Sequence, residues 1–570
     1  MTVGVNGVNP MGENPTGDGP QDPLPNDVNR RVERRSTVPL DVADDPSIIP
    51  TDSVERRSTL RWAFLLTLGL AAILLFPTIF WPFDYDQGTF AYGGSAILRG
   101  ERPYIDFTDI KPPNIFYTYS VAFAIFGESV RAIRVFDYLN ALLTIALLFL
   151  LALRLWKNEH WRTPAAIMAS FAFITQYYIF GHWDTAQAET YSLPFLIAAL
   201  LLVLSDRRSV LLRSALAGLC IAITFYYKFP NGLFLILIGT ALWLKNRNDW
   251  PLIIKAKFSV FGGFLLGVGL QSLYLATNGE LIPLWHTTFS STANYVATNY
   301  SGSFTIFQNI KTGFGAVGAQ LAGLAIGISV ARVLMSKKMN RPQLTNTLLP
   351  IVGAFIALIL VQIQNKGYTY HYAVLLPWAD LLIGSALVRG MSPALARLPR
   401  TYYIALLATA SCLLFVGSYM SSPALHQRSA ELYRIFGHEQ PANGYITGDT
   451  LSNYVIANTL PSDRIFIFGF QPYVYWKSGR RPATKDLNTI HFKPSYVNPA
   501  DRDELVRTLC GNPPALFLVE TEDHYTSQGS TNDDSRTTIK LRYPELESLL
   551  AERYYPRDTI QHTIAYKLRN

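Results

Sequence analysis

The sequence predicts a multi-span α-helical membrane protein with interfacial helices in its first outer loop and a soluble α/β domain at its C-terminal end. Three observations predict this class. Apolar runs recur between residues 61 and 420, most of them close to the roughly 20 residues a helix needs to cross a bilayer. Only 16% of the 570 residues are charged, against roughly 25% in an ordinary soluble domain. From residue 421 onward the composition becomes that of a soluble chain, and helix-like and strand-like pieces alternate, as in a layered α/β domain.

Charge and cysteine usage exclude other classes. The net charge is +8, but Lys and Arg gather in the short loops between apolar runs, as they do on the cytoplasmic side of membrane proteins. No basic stretch alternates with aromatics in a soluble region, so no nucleic-acid partner is expected. Cys220, Cys412 and Cys510 are scattered and form neither a disulfide framework nor a zinc pattern.

Residues 1–60 are rich in Pro, Gly, Asn and Asp and bury too little apolar surface to fold alone, so they read as a disordered tail. Arg30, Arg31, Arg34 and Arg35, with Arg56 and Arg57, place its end in the cytoplasm. About eleven spans follow, at 61–81, 132–155, 164–181, 189–204, 213–228, 231–244, 257–277, 312–334, 345–363, 372–388 and 401–420. This makes 61–420 the membrane domain and puts 421–570 outside. Loop charges agree: 154–162, 206–213, 245–257, 337–341 and 389–400 carry Lys or Arg clusters. The outer loops are poorer in them, except for the first outer loop (82–131), Lys228 and Lys366. Basic residues on that side point to an anionic ligand.

In the soluble part, 451–460, 501–509 and 544–553 read as helices, and 464–470 and 515–520 as strands. His491, Glu520 and His524 stand apart from one another and read as solvated surface. The aromatic run Gln471–Trp476 reads as exposed, suited to packing on the membrane domain or touching a sugar.

The first outer loop is the candidate site. It packs Asp84, Asp86, Arg99, Glu101, Arg102, Asp106, Asp109 and Lys111 between two apolar runs. Phe90, Gly94 and Ile97 recur at helical spacing after Asp86, and Phe116, Tyr119, Phe123 and Phe126 do so after Pro112-Pro113. Two short amphipathic helices at the membrane interface fit this pattern. They put Asp84 and Asp86 at one helix N-terminus and Lys111 just before the other. A helix N-terminus and a lysine attract anions, and carboxylates beside them act as bases or hold a metal.

Asp86-Gln87, Gly100 with Pro103-Tyr104, Lys111-Pro112-Pro113, Phe126-Gly127 and Arg131–Arg134 together resemble the GT-C superfamily of polyprenol-phosphate-sugar-dependent glycosyltransferases. The nearest groups are the protein O-mannosyltransferases and the lipid A aminoarabinose transferases. Weaker echoes are Glu189-Thr190-Tyr191, Lys228 and Tyr370-His371-Tyr372. The resemblance implies an inverting transfer on the outer face, from a polyprenyl-phosphate-linked sugar to a hydroxyl on a lipid, glycan or protein acceptor. It implies Asp86 as general base and Lys111 as the ligand of the lipid phosphate. Arg99, Arg102, Lys228 and His371 are further phosphate-binding candidates.

Two departures stand out: the family's Asp-Glu is Asp86-Gln87 here, and the Arg of the aminoarabinose transferases three positions after the Asp is Thr89. Asp84-Tyr85-Asp86 resembles a metal-holding DxD element, which His182, Asp184 and Glu189 would complete around a divalent cation such as Mg2+ or Mn2+; no cofactor is otherwise required. Tyr370 and His371 are substrate-binding candidates. The competing class is a transporter or flippase of a lipid-linked sugar. Such proteins often show internal repeats, and none is visible here.

Overall fold

The computed structural model describes residues 51–83, 85–157, 159, 161–205, 209–291, 325, 329, 341–364, 368–395, 445–493, 497–523 and 533–569. Asp84, Lys366, Cys412, His524, the predicted span at 401–420 and, apart from residues 325 and 329, the predicted span at 312–334 lie outside these residues. The chain divides into two units, Met1–Arg57 and Ser58–Asn570. Of the first, only the start of a helix at Thr51 is described.

Helix α1 (Thr51–Leu75) begins ahead of the predicted span, so residues 51–60, expected as tail, are helical. The outer loop then forms α2 (Tyr85–Leu98) and α3 (Asn114–Phe126), the two expected short helices. The bundle continues with α4 (Val130–Leu155), α5 (Arg162–Asp184), α6 (Ala188–Leu204), α7 (Val210–Tyr227), α8 (Phe234–Asn246) and α9 (Trp250–Thr277). Later come α10 (Arg341–Gln364) and α11 (Leu376–Leu395), the latter entered through a 3-10 turn at Thr369–Leu375. Among the described residues six helices are long and apolar enough to cross a membrane, and α3 and α6 are shorter apolar helices. The chain is a multi-span helical membrane protein; the expected eleven spans are not all represented, because two fall outside the described residues and others, such as α6 and α8, are short.

Local chemistry sets the helix ends near the site. Pro112 and Pro113 precede Asn114; a proline lacks an N–H that a helix start leaves unpaired anyway. Helix α3 stops at Gly127, whose φ is +79°, a conformation glycine adopts without a Cβ penalty.

The C-terminal part is an α/β layer. Its five-stranded sheet has the order β2-β1-β3-β5-β4, where β1 is Arg464–Phe468, β2 Arg481–Pro482, β3 Leu516–Glu520, β4 Tyr554–Ile560 and β5 Thr563–Leu568. β1 pairs in parallel with both β2 and β3, whereas β5 runs antiparallel to β3 and β4. The expected helices and first two long strands are present. The terminal hairpin β4–β5 has no signal in the sequence, because its exposed, charged first strand lacks an apolar run.

Alternation along the strands gives the sheet two buried faces. Phe466, Phe468, Phe517 and Val519 pack beneath the helices Pro499–Gly511, Ser535–Arg542 and Pro544–Arg553. Ile465, Ile467, Leu516 and Leu518 face the other way, into one core with Phe83, Phe90, Phe116 and Tyr119 of the outer loop. The domain is therefore joined to the loop through a shared apolar core.

The aromatic run at 471–476 is the seam of that joint, not an exposed patch. Pro472–Ser478 is a helix, and Tyr473, Val474 and Tyr475 are buried. Trp476 stacks on Phe123 at 5.9 Å, and its Nε1 donates to Ser95 Oγ at 3.1 Å. Of the two roles the run suits, packing on the membrane domain is the one observed. The run looks exposed in sequence because it is aromatic and short; its burial comes from α2, far away in the chain.

Gly88 permits the closest approach. A Cβ there would lie 2.8 Å from the N, Cα and Cβ atoms of Tyr473. Gly88→Ala should therefore push the seam apart and destabilise the protein by about 1–3 kcal/mol. The check is thermal unfolding in detergent, together with faster proteolytic cleavage near residue 470 in the variant.

Candidate active site

Three tethers bring Lys111 to Asp86. Tyr104 holds a left-handed turn (φ +66°) and its hydroxyl donates to the Lys111 carbonyl at 2.6 Å. Asp109 Oδ1 accepts from the Lys111 backbone N–H at 2.9 Å. The two prolines then commit the chain to α3. This gives the Pro103-Tyr104 element a physical role: it anchors the lysine. The Lys111 ammonium lies 2.8 Å from Asp86 Oδ2, with its side chain 15% and that of Asp86 25% exposed. It also sits over the Phe90 ring, 4.5 Å from the centroid.

Electrostatics keep this lysine charged. Burial lowers its affinity for a proton, but the charges of Asp86 and Asp109 outweigh burial and raise its pKa above the ordinary value. Burial pushes Asp109 up to about 6, with the Lys111 charge opposing.

A second pair stands beside the first. Lys228, just past α7, pairs with Glu189 in the first turn of α6. Tyr370 links the two pairs: its ring centroid is 5.4 Å from Lys111 Nζ and 5.8 Å from Lys228 Nζ. Asp184 accepts from the Tyr370 backbone and the Thr369 side chain, and burial carries its carboxyl up to about 7. The site thus gathers Asp86, Lys111, Asp184, Glu189, Lys228 and Tyr370 from four separate segments.

The scaffold under these groups is a set of backbone carbonyls. Gly181 takes φ +66° and breaks the helical course of α5, so the carbonyls beyond it lack helical partners. Gln87 Nε2 lies 3.0 Å from His182 O, 2.9 Å from Trp183 O and 2.8 Å from Thr185 O. Arg134, buried in α4, donates to His182 O at 2.9 Å, to Thr185 Oγ1 at 3.1 Å, to Trp81 O at 3.3 Å and to Pro82 O. The departure at position 87 has a physical reason here: an amide donates to carbonyls and a carboxylate cannot. Thr89, the other departure, is buried, and its hydroxyl turns back toward the Tyr85 carbonyl at 3.4 Å.

Some expected residues are elsewhere. Arg99 and Arg102 lie beyond the opposite end of α2, about 20 Å along the helix from Asp86. Arg99 pairs with Glu101 at 3.0 Å and Arg102 with Asp106 at 3.5 Å. The structure does not bring either to the Lys111 pair, because α2 is continuous and holds its ends apart. His182 contributes its carbonyl, and its ring packs near Trp183 at 6.4 Å. His371 is buried against Tyr370, with ring centroids 4.6 Å apart. Gln187 is a residue that sequence reading missed. Its Nε2 reaches Asp86 Oδ2 at 3.4 Å and Trp183 O at 3.3 Å; its only sequence signal is its place one residue before an apolar helix.

Among the described residues, the carboxylates expected to hold a divalent cation each have another partner; Asp84 lies outside them. Asp86 faces Lys111, Glu189 faces Lys228, and Asp184 faces Thr369 and Tyr370. Among the described residues no three His, Cys, Asp or Glu side chains converge.

Gln87→Glu should set a carboxylate against three carbonyl oxygens. Leaving buried carbonyls unsatisfied costs about 1–3 kcal/mol, so the variant should melt earlier than the wild type. Gln87→Met, which also removes the donors, should lose a similar amount. Unchanged melting in both would refute the scaffold role.

Comparisons with known proteins bear on this geometry. Residues 110–270, which include Lys111, Asp184, Glu189 and Lys228, match the family model described as dolichyl-phosphate-mannose-protein mannosyltransferase. The chain is similar to the solved structure of ArnT from Cupriavidus metallidurans bound to undecaprenyl phosphate. Identity is 14%, 88% of this chain and 97% of that one are covered, and the TM-score is 0.56. It is also similar to the archaeal oligosaccharyltransferase AglB from Archaeoglobus fulgidus, in complex with an inhibitory peptide and a dolichol-phosphate. There identity is 12%, coverage is 90% of this chain and 74% of that one, and the TM-score is 0.50. A comparison with curated proteins gives no match. At these identities the likeness establishes fold.

Proposed function

The chain has the fold of GT-C proteins, and from that premise we propose that it is an inverting glycosyltransferase. It moves a sugar from a polyprenyl-phosphate carrier to a hydroxyl acceptor on the outer face of the membrane. The observation that carries the reading is the Asp86–Lys111 pair at 2.8 Å, flanked by Lys228 and Tyr370. A carboxylate and two ammonium groups stand together at the end of the bundle.

The chemistry needs a base for the acceptor and a cation for the leaving phosphate. Lys111 and Gln187 both donate to Oδ2 of Asp86, which leaves Oδ1 to accept the acceptor's proton. An ammonium has three donors; Lys111 spends one on Asp86 and offers the others to a phosphate oxygen. One cation can therefore touch base and phosphate together. The acceptor oxygen attacks the anomeric carbon, and its proton passes to Asp86. The bond from that carbon to the phosphate oxygen breaks, its electron pair stays with the phosphate, and the lipid phosphate leaves with inversion at carbon. Lys111 and Lys228 stabilise the charge that develops there. Asp184, Glu189 and Tyr370 hold these groups in place. The wall they form is the expected place for sugar contacts.

Support for the lipid carrier comes from the similar proteins, one solved with undecaprenyl phosphate and one with a dolichol-phosphate. The loop charges and the position of the C-terminal domain favour an inner-membrane location with a cytoplasmic N-terminus.

Asp86→Asn should lower sugar transfer by about 10^2- to 10^4-fold while the protein still binds undecaprenyl phosphate. Unchanged transfer would remove Asp86 from the role of base, and transport without a transferred product would favour the flippase reading. Lys111→Ala should weaken undecaprenyl phosphate binding by about tenfold or more, read by native mass spectrometry of the purified protein. Wild-type affinity in that variant would remove Lys111 from the phosphate site.

A further inference from the structure

We infer that Glu520, in the C-terminal domain, is a positioning residue for Asp86, acting through the corner Gly469–Gln471 and the ring of Tyr85. The inference rests on the reading of Asp86 as the base.

Glu520 ends β3 and is buried, not solvated as its isolation in the sequence suggests. Its Oε2 accepts from the Phe470 backbone N–H at 2.5 Å and its Oε1 from Gln471 Nε2 at 2.8 Å. Gly469 has φ +155°, and a Cβ there would fall 2.1 Å from Oε2, so only glycine lets the carboxylate reach the corner. Thr489 Oγ1 accepts from Gly469 N–H at 2.7 Å and fixes the other side.

The corner bears directly on the site. The Phe470 ring stacks on Tyr85, with centroids 5.0 Å apart and planes 16° from parallel. Tyr85 is the first residue of α2, and Asp86 follows it. Tyr85 also meets Trp183 edge-on at 6.1 Å, and the Trp183 carbonyl is held by Gln87 and Gln187. Glu520, Phe470 and Tyr85 therefore form a chain of contacts ending one residue from the base. A displacement of about 1 Å at a reacting group is enough to cost about 100-fold in rate.

The charge of Glu520 tunes this contact. Burial raises its carboxyl from the ordinary 4.5 to about 7, with Asp523 adding and the Phe470 N–H, Gln471 and Lys493 opposing. Lys493 and Asp523 pair with each other at 3.0 Å. Because the docked carboxyl holds its proton more tightly than a solvated one, docking is strongest at low pH. It weakens as pH rises from 4.5 toward 7 and is constant above that. Glu520→Gln mimics the protonated form, since an amide can both accept from Phe470 N–H and pair with Gln471.

The test uses the full chain in nanodiscs, with two measurements. In hydrogen exchange corrected for the intrinsic pH effect, wild-type segments 85–92 and 466–473 should exchange about tenfold or more faster at pH 8 than at pH 5. In Glu520→Gln the difference should vanish. Turnover is measured with a crude extract of polyprenyl-phosphate sugars and read by mass spectrometry. Glu520→Ala should lower kcat about ten- to 100-fold with little change in KM, and Glu520→Gln should restore most of it. Phe470→Leu keeps apolar volume but loses the stack, and should show the same kcat loss if Glu520→Ala fails to fold. Exchange that is equal at the two pH values in the wild type, or full turnover in Phe470→Leu, overturns the inference. Full turnover in Asp86→Asn overturns the base assignment instead, and the exchange result does not depend on it.

Discussion

Carbonyl groups released by the break at Gly181 are the constraint on which the site depends. Where α5 leaves its helical course, the oxygens of residues 182, 183 and 185 need donors from outside the helix. They are met by Gln87 from α2, Arg134 from α4 and Gln187 at the start of α6. Satisfying three oxygens thereby ties four helices together at the end of the bundle. Buried polar networks of this kind tolerate little substitution, because each lost donor strands an acceptor. The same arrangement places Asp86 next to Gln87, Asp184 next to Trp183, and Glu189 two residues after Gln187. The candidate site groups are thus neighbours of the scaffold residues in sequence as well as in space.

The two lysines show how a positive site is built beside apolar helices. Each has its own carboxylate, so each is partly buried as a member of a pair. Breaking either pair would leave an uncompensated charge, which is costly in a low-dielectric surrounding. Tyr370 lies between the ammonium groups and offers each a ring face. Its backbone also supports Asp184. In the proposed reaction a lipid phosphate would meet charge already paired and already oriented, so little reorganisation would be needed as the leaving group develops its charge.

The C-terminal domain belongs to the same mechanical unit. Its sheet shares an apolar core with α2 and α3, and the helix Pro472–Ser478 lies along α2 from Gly88 to Ser95. The domain therefore clamps the helix that carries the proposed base.

What the sequence alone determined follows from local patterns. Apolar run length and period dictate spans and short amphipathic helices, and Pro112-Pro113 and Gly127 mark the limits of α3. Dense charge in 82–131 marks that loop as the candidate site, and the family resemblance singles out Asp86 and Lys111 within it. Only the tertiary structure decided the rest. Arg99 and Arg102 are chemically suited to a phosphate, yet a rigid helix carries them away from it. Glu520 stands alone in sequence and is buried by a corner 50 residues earlier. Gln87 reads in sequence as a departure, Arg134 as the end of a motif and Gln187 as nothing in particular; their shared role is visible only once the carbonyls they serve are seen. The physical reason is common to all of these: a side chain's role is set by which unpaired group the fold brings within hydrogen-bond reach, and that distance is a property of packing between segments, which no local pattern encodes.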